Sequence, residues 1–348
     1  MFTDLETTFE YLCARLEHVS PRAELYLQSE RIVAIERLKK ERNAVVLGHN
    51  YMEPALYQTV CDFKGDSLQL ARLSAETDAD VIVFCGVRFM AETAKILNPT
   101  KTVLVPSERA GCSLAASITA QDVRDLRARY PGVPVVTYVN TYADVKAESD
   151  ICCTSSNALK VIESLNCDRI LFLPDEYFAR NVARASSKEF IIATRDPASL
   201  LKKEDSIEKV LIGWPGKCEV HERFTVDDIL GVRKQFPDVI ILAHPECSPE
   251  VVMASNFSGS TSEMIRFVKE QEAANYLLLT ECSMADNIIA ENPEKDLLRL
   301  CSIRCPHMAQ ITLEMTQKAL ELNRYAIEVP EDIRLRAKRA IDRMLEIR

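Results

Sequence analysis

One chemical pattern occurs three times along the chain and restricts what it can fold into. Each copy opens with a short apolar run that ends in two polar residues spaced i, i+2. A turn with a Ser or Thr at a helix start follows, and later a single cysteine. The copies are AVVLGHNY, GDS and GC (His49, Tyr51, Ser67, Cys112); VPVVTYVN, CTSS and GKC (Tyr138, Asn140, Ser155, Cys218); and DVIILAHPE, SGST and RC (His244, Glu246, Thr261, Cys305). From the first polar residue to the hydroxyl the step is 18, 17 and 17 residues, and from the last it is 16, 15 and 15. Three cysteines on three separate units can meet only at a shared centre.

Between these landmarks, apolar runs alternate with amphipathic stretches. AVVLG, DVIVFC and TVLVP fall in the first copy, VPVVTYV, RILFLP, EFIIA and KVLIGW in the second, VIILAH, YLLLT and LLRLC in the third. SLQLARLSAE, SNALKVIESL and TSEMIRFVKEQEA carry helical spacing between them. Near-continuous apolar strands separated by helices indicate an α/β fold with parallel sheets covered on both faces. VFCGVRFMAETA, FLPDEYFARNVA and LLTECSMADNIIA each put a helix directly after a strand, which extends the alignment. The expected division is residues 1–118 with two N-terminal helices, 119–224, and 225–348 with two C-terminal helices. Ligands of such sheets bind beyond the carboxyl ends of the strands, where all the repeated polar residues lie. The three carboxyl ends are therefore expected to face one cavity. Residues 187–208 have no counterpart in the other copies and read as a surface excursion.

The formal charge of −9 gives no basic footprint for nucleic acid. MFTDLETTFEYL lacks the regions of a signal peptide, and no apolar run approaches the ~18 residues that span a membrane. A cytoplasmic location, where thiols stay reduced, is expected. The twelve cysteines include no C-x-x-C, which disfavours a zinc ribbon or a finger. Most read as small core residues. Glycine is scarce, nine residues in all, yet Gly48, Gly65, Gly111, Gly213, Gly216 and Gly259 flank the repeated positions. Positive φ or close approach of the backbone to a ligand would explain that placement. Of five histidines, His49 and His244 belong to the pattern, His221 lies three after Cys218 and His307 two after Cys305.

Helix N-termini offer free N–H groups and a positive dipole end, so Ser67, Ser155 and Thr261 read as a cradle for a multiply anionic ligand. A simple N-cap is the competing reading. Tyr51, Tyr138, His49 and His244 can donate or shuttle protons. A carboxylate in an HPEC turn at a strand end is costly to bury without a role, and Glu246 reads as a general base. Three thiolates with an open position suit either zinc or an iron–sulfur cluster whose fourth iron lacks a protein ligand.

At these residues the chain resembles the quinolinate synthase family, the iron–sulfur enzymes of NAD biosynthesis. The blocks that carry the resemblance run from about Ala44 to Thr312. They are GHNYMEPALYQ, DFKGDSLQLA, VRFMAETAKIL, Gly111–Cys112, YVNTYADVKAESDICCTSSNA, WPGKCEVHERF, HPECSPEVV, SGSTSEMI and RCPHM. The resemblance implies three pseudo-threefold-related αβα sandwich domains around a central active site. It implies one 4Fe–4S cluster with Cys112, Cys218 and Cys305 as its three ligands. The family's substrate-site residues fall on His49, Tyr51, Ser67, Tyr138, Asn140, Ser155, His221, His244, Glu246, Ser260 and Thr261; of these, Glu246, Tyr51, Tyr138 and His221 are taken as catalytic. The implied reaction, of transferase type, condenses iminoaspartate with dihydroxyacetone phosphate to quinolinate, phosphate and two waters. Iminoaspartate is unstable in water, so L-aspartate oxidase or an aspartate dehydrogenase is implied as its source. Lys217 stands where many members carry an aromatic residue. Some members place a C-x-x-C-x-x-C near the third ligand, where this chain has only Cys301 and Cys305. A metabolite-binding iron–sulfur or zinc sensor without turnover is the alternative, and a hydro-lyase of the aconitase type shares the open-iron logic but not these blocks.

Overall fold

The computed structural model of the chain describes residues 2–193, 209–273, 275–298 and 303–347. Helices α1 (Leu5–Leu16) and α2 (Arg22–Glu41) come first. Asp4 caps α1 by accepting the Thr7 N–H at 2.8 Å, and Pro21 precedes α2 where a missing N–H costs nothing. The first sheet follows as β1 (Ala44–His49), α3 (Pro54–Thr59), β2 (Phe63–Gly65), α4 (Ser67–Glu76), β3 (Val81–Cys85), α5 (Arg88–Leu97) and β4 (Thr102–Leu104). Its strands are parallel in the order β2–β1–β3–β4.

The second sheet is built from α6 (Ala120–Arg129), β5 (Val135–Tyr138), α7 (Ala143–Ala147), β6 (Ile151–Cys153), α8 (Ala158–Leu165), β7 (Arg169–Leu173), α9 (Glu176–Ala185), β8 (Glu189–Ile192) and β9 (Val210–Gly213). Its order is β6–β5–β7–β9–β8, again parallel. The third comprises α10 (Val226–Gln235), β10 (Ile240–Ala243), α11 (Pro249–Ala254), β11 (Phe257–Ser258), α12 (Thr261–Glu270), β12 (Tyr276–Leu279) and α13 (Ser283–Glu291), with sheet order β11–β10–β12. Helices α14 (Leu313–Leu322) and α15 (Glu331–Glu346) end the chain. The expected α/β class with parallel sheets is thus what the chain forms.

Each sheet repeats one local device. One of the first three residues of the first strand exchanges hydrogen bonds with the residue that precedes the short second strand. Val46 N–H donates to Asp62 Oδ2 at 2.8 Å and Asp62 N–H to Val46 O at 2.9 Å. Val135 and Asp150 do the same at 2.8 and 3.0 Å. Ile241 and Asn256 do so at 3.0 and 2.8 Å. A cation from the preceding helix approaches the same side chain each time: Lys39 at 2.7 Å, Arg127 at 2.8 Å and Arg233 at 3.1 Å. The sequence repeat is therefore a repeat of backbone wiring.

By compactness the chain forms two units, Met1–Gly111 with Asp238–Ile240 and Thr261–Glu328, and Cys112–Pro237 with Ile241–Ser260 and Val329–Arg348. In the first, Val46, Leu47, Ile82, Val83 and Phe84 form the buried sheet core. Helix α14 lies there against α2 and β3, with Arg31 3.4 Å from Glu314. In the second, Val135, Leu171, Ile212 and Trp214 make the core. Helix α15 covers α7 and β6 there, and Arg336 meets Glu148 at 2.8 Å. The two C-terminal helices thus pack on the first and second sheets, not on the third as the expected division had them. Of residues 187–208, Glu189–Ile192 is the edge strand β8, and the expected excursion over 194–208 lies outside the described residues. Of the LLRLC run, Leu297 makes a single bridge to Tyr276, and 299–301 lie outside the described residues.

Candidate active site

In the second unit, Tyr138 ends β5 and Glu246 follows β10 in the turn His244–Cys247. The Tyr138 hydroxyl donates to Glu246 Oε1 at 2.5 Å, and the Asn140 amide donates to the same oxygen at 3.3 Å. His221 Nδ1 lies 2.8 Å from Glu246 Oε2 and 3.2 Å from Cys218 Sγ. The His221 ring stacks on His244 with centroids 4.5 Å apart. Tyr138, His221, His244 and Glu246 are buried, Glu246 only 3 % exposed, and Asn140 and Cys218 are half-buried. Burial works against its charge. The His221 ring, His244 and the Tyr138 hydroxyl outweigh it and hold the carboxyl well below the usual carboxylate range. An isolated carboxylate so held is a poor base. His221 and Tyr138 sit on the two oxygens of Glu246, an arrangement through which a proton could pass.

Two further groups lie beside that carboxylate. Asp175 is fully buried and caps α9, accepting the Phe178 N–H at 2.7 Å. Burial and then the Glu246 charge push its carboxyl well above the ordinary range. The Asn140 Oδ1 atom is buried with no hydrogen-bond partner, an acceptor available to a ligand.

In the first unit, His49 ends β1, and its ring packs edge-on against Tyr51 with centroids 4.7 Å apart. The Tyr51 hydroxyl shares a 2.5 Å hydrogen bond with Thr280 Oγ1. Asn50 donates to Thr261 Oγ1 at 2.9 Å and accepts from the Tyr57 hydroxyl at 3.0 Å. The backbone N–H of Tyr51 donates to His49 Nδ1 at 3.3 Å, and that of Glu246 to His244 Nδ1 at 3.4 Å. An Nδ1 that accepts leaves the proton of a neutral ring on Nε2. One local geometry therefore sets the same tautomer at both histidines.

Ser67 is the first residue of α4, but the cap is Asp66, which accepts the Gln69 N–H at 3.0 Å. Thr261 is the first residue of α12. Ser155 does not open a helix: α8 starts at Ala158, and Ser155 lies in the turn that Thr154 and Asn157 close at 2.8 Å. Asn157 out-competes Ser155 as the helix boundary because its amide oxygen takes the Thr154 N–H. Ser260 is fully buried.

The three cysteines of the pattern share one local geometry. Each carbonyl accepts the N–H four residues on at 3.0 Å (Ala116, Glu222, Ala309). A 3₁₀ turn then begins three residues on (Ala115–Ser117, His221–Arg223, Met308–Gln310). A threonine seven residues on caps the next helix: Thr119, Thr225 and Thr312 each accept an N–H at 3.2 Å. All three are half-buried, whereas Cys61, Cys85, Cys152, Cys153 and Cys247 are buried. Burial, the Glu246 charge and the neighbouring Cys112 push the Cys218 thiol up, against the His221 and Val220 N–H groups. The Ala115 N–H points at Cys112 Sγ at 3.4 Å. Soft sulfur donors with backbone N–H groups turned toward them suit an iron–sulfur cluster. Cys218, His221 and Glu246 also bring ligand atoms within 4.8 Å of one another, a set that could hold a metal ion. Ten cysteines carry no disulfide, Cys282 is disulfide-bonded, and Cys301 lies outside the described residues.

Gly132 is the one positive-φ glycine among the described residues, and at Gly48, Gly65, Gly86, Gly213 and Gly216 a Cβ would come within 3.0 Å of a neighbouring atom. A Cβ on Gly216 would stand 2.6 Å from the Pro174 carbonyl and 2.5 Å from Ser117 Oγ. Sequence reasoning missed Asp175, Asn50, Thr280, Asn181 and Asn287. The last two sit in register in FLPDEYFARNVA and LLTECSMADNIIA, and that alignment could have found them.

Residues 33–346 match a family described as quinolinate synthetase A protein. Among relatives, "Quinolinate synthase 2" of Mesorhizobium japonicum is 50 % identical over 99 % of each chain. "Quinolinate synthase" of Agrobacterium fabrum is 53 % identical over 96 % of this chain and 90 % of the relative. "Quinolinate synthase" of Xylella fastidiosa is 51 % identical over 91 % of this chain and 87 % of the relative.

Proposed function

The chain belongs to the quinolinate synthase family, and from that premise we propose that it condenses iminoaspartate with dihydroxyacetone phosphate. The products are quinolinate, inorganic phosphate and two waters, which balances every atom of the two substrates. The observation that carries this reading is the Tyr138–Glu246–His221 chain beside Cys218, with hydrogen bonds of 2.5 and 2.8 Å. Such a chain can take a proton from one substrate atom and deliver one to another.

We assign Cys112, Cys218 and Cys305 as the ligands of one 4Fe–4S cluster, on their shared local geometry. When bound, it supplies a Lewis-acidic iron for the dehydrations. His221 takes the proton, with Glu246 holding its ring and balancing its charge. The Tyr138 hydroxyl donates, and Tyr51 relays protons from its own turn. Asn140 Oδ1 accepts from the substrate. His49 and His244 offer their Nε2 protons to carboxylate or phosphate oxygens. Ser67, Ser155, Ser260 and Thr261 bind the anionic groups, with the free N–H groups of α4 and α12 behind Ser67 and Thr261. The three-part division at 118 and 224 is the repeat on which this site is built. Iminoaspartate is to be supplied by an oxidase or dehydrogenase acting on aspartate. Among the described residues no helix is long and apolar enough to cross a membrane.

The test is anaerobic purification, counting of iron and sulfide, and a quinolinate assay with both substrates. We expect about four irons and four sulfides per chain, with quinolinate formed. Single Ala variants of Cys112, Cys218 and Cys305 should lose the chromophore and the activity together. Iron and sulfide without any quinolinate would favour a sensor. Loss of the cluster from Cys247→Ala alone would show that the ligands are misassigned.

A further inference from the structure

Two strand-end turns are built alike. In His49–Met52 and in His244–Cys247 the fourth N–H returns to the first carbonyl, at 3.0 and 2.9 Å. In both, the third residue carries the reacting side chain, Tyr51 or Glu246. Each turn is also gripped from a helix remote in sequence. Asn181 of α9 donates Nδ2 to the Pro245 carbonyl at 2.9 Å and to the Cys247 carbonyl at 3.0 Å, so its amide straddles Glu246. Asn287 of α13 donates Nδ2 to the Asn50 carbonyl at 3.2 Å and to the Met52 carbonyl at 2.9 Å, so its amide straddles Tyr51. Both side chains are buried, and in both the Oδ1 atom has no hydrogen-bond partner. A buried acceptor left unpaired costs free energy. Two helices accept that cost at the same place, which marks the two N–H···O bonds as the purpose of the side chain. The aligned position in the first copy is Glu92, which offers no N–H and pairs with Arg88 at 2.9 Å. The turn after β5 also differs, with Thr141 N–H bonded to Val139 O at 2.8 Å. The clamp therefore occurs where a helix offers an amide and the turn has the His-x-(Tyr/Glu) form.

We propose that Asn181 and Asn287 are positioning residues for the reaction, each clamping the turn that carries a proton-handling side chain. Glu246 meets Tyr138 and His221 over 2.5 and 2.8 Å. A rigid turn keeps both contacts at once. When the carbonyls on either side of Glu246 are released, the turn is free to rotate its third residue away from one partner or the other. Phe178 on the same helix packs on the Tyr138 ring at 4.8 Å, so α9 aligns both ends of the Tyr138–Glu246 bond.

The proposal rests on the roles given above to Glu246 and Tyr51, and a double-mutant cycle separates the two. Cluster-loaded Asn181→Ala, Glu246→Gln and the double variant are compared by kcat, KM, iron and sulfide content and melting. Asn287→Ala, Tyr51→Phe and their double variant form a parallel arm. Misplacement by about 1 Å can cost ~10²-fold. We expect Asn181→Ala to lower kcat about 10- to 100-fold with KM changed less than about threefold. Iron and sulfide should be unchanged. In the Glu246→Gln background the same substitution should have no further effect, since it acts through that side chain. Amide exchange in the 244–248 peptide should quicken in Asn181→Ala, where the Cys247 N–H loses its rigid frame. If Asn181→Ala does not fold, Asn181→Asp keeps the volume and removes the donors, and it is expected to behave alike. Normal kcat in the asparagine variants, or an undiminished effect in the Glu246→Gln and Tyr51→Phe backgrounds, overturns the proposal alone. Normal turnover by Glu246→Gln and Tyr51→Phe themselves overturns the underlying roles.

Discussion

Asp150 offers a test of what the threefold wiring contributes to stability. Its Oδ2 accepts the N–H of Val135, which is fully buried, and also meets Arg127 at 2.8 Å. In the third sheet Asn256 fills the same place, and its one amide oxygen accepts from both Ile241 N–H and Arg233. The needed feature is therefore an oxygen acceptor, not a charge. Asp150→Ala leaves a buried N–H unsatisfied, which costs about 1–3 kcal/mol. The lost ion pair is about one-third exposed on each side and adds only ~0–1 kcal/mol. The sum is about 1–4 kcal/mol, or roughly 2–4 °C of melting temperature per kcal/mol for a unit of this size. Asp150→Asn keeps the acceptor and should cost no more than ~1 kcal/mol. Thermal melts of the cluster-free proteins, followed by circular dichroism, distinguish the two. Equal destabilisation by Asn and Ala would refute the reasoning, because the charge would then be what matters.

Glu246→Gln keeps an oxygen for Tyr138 and loses the charged contact to His221, so turnover should fall by ~10²–10⁴-fold with the cluster intact. Unaltered kcat would make the carboxylate structural. The stabilisation from its depressed proton affinity is present above the usual carboxylate pKa and lost on acidification below it. Acid unfolding of the variant should lack that component, read from melting against pH. Ser67→Ala should weaken substrate saturation about 10- to 150-fold with no change in melting, because Asp66 is the cap; an earlier melt with normal saturation would point to a structural hydroxyl. Thr261→Ala should show the same binding loss together with a lower melting temperature, since it also loses the Asn50 bond. Burial lifts the Glu53 carboxyl from 4.5 to about 7, against the Leu313 N–H it accepts. Its folded form holds the proton longer than the unfolded chain does, so stability should decline as pH rises from 4.5 to about 7. Glu53→Gln should flatten that part of the profile, and an unchanged slope would count against the burial.

The long helices and the strands β1, β3, β5, β7, β9, β10 and β12 were legible because their apolar periodicity is strong. The strands β2, β6 and β11 were not. They have two or three residues each, and FKG, ICC and FS carry no alternation. The same holds for α3, α7 and α11, of five or six residues, which are held by their turns and not by an amphipathic face. The polar pairs at the strand ends were legible from register alone, but their partners were not. Asn181 and Asp175 come 64 to 71 residues before the Glu246 turn that they serve, and no local spacing reports such a contact. Ser155 opens no helix for a local reason: it lies inside the turn that Thr154 and Asn157 close, and α8 starts only at Ala158.

The first compact unit is assembled from three separate stretches of chain, and α14, which packs there on α2 and β3, is made long after the strands. Val105 and Tyr325 exchange backbone hydrogen bonds at 3.1 and 3.4 Å, joining the end of β4 to the segment after α14. On the ribosome, β1 to β4 emerge some two hundred residues before that cover does. Their apolar face must wait, at about 5–20 residues per second, for tens of seconds. A chain arrested before residue 313 presents a strand layer without its lid, which is the form that chaperones hold and proteases cut. Nascent-chain quality control thus has a definite place to act on this protein, the strand layer β1 to β4 before α14 is made.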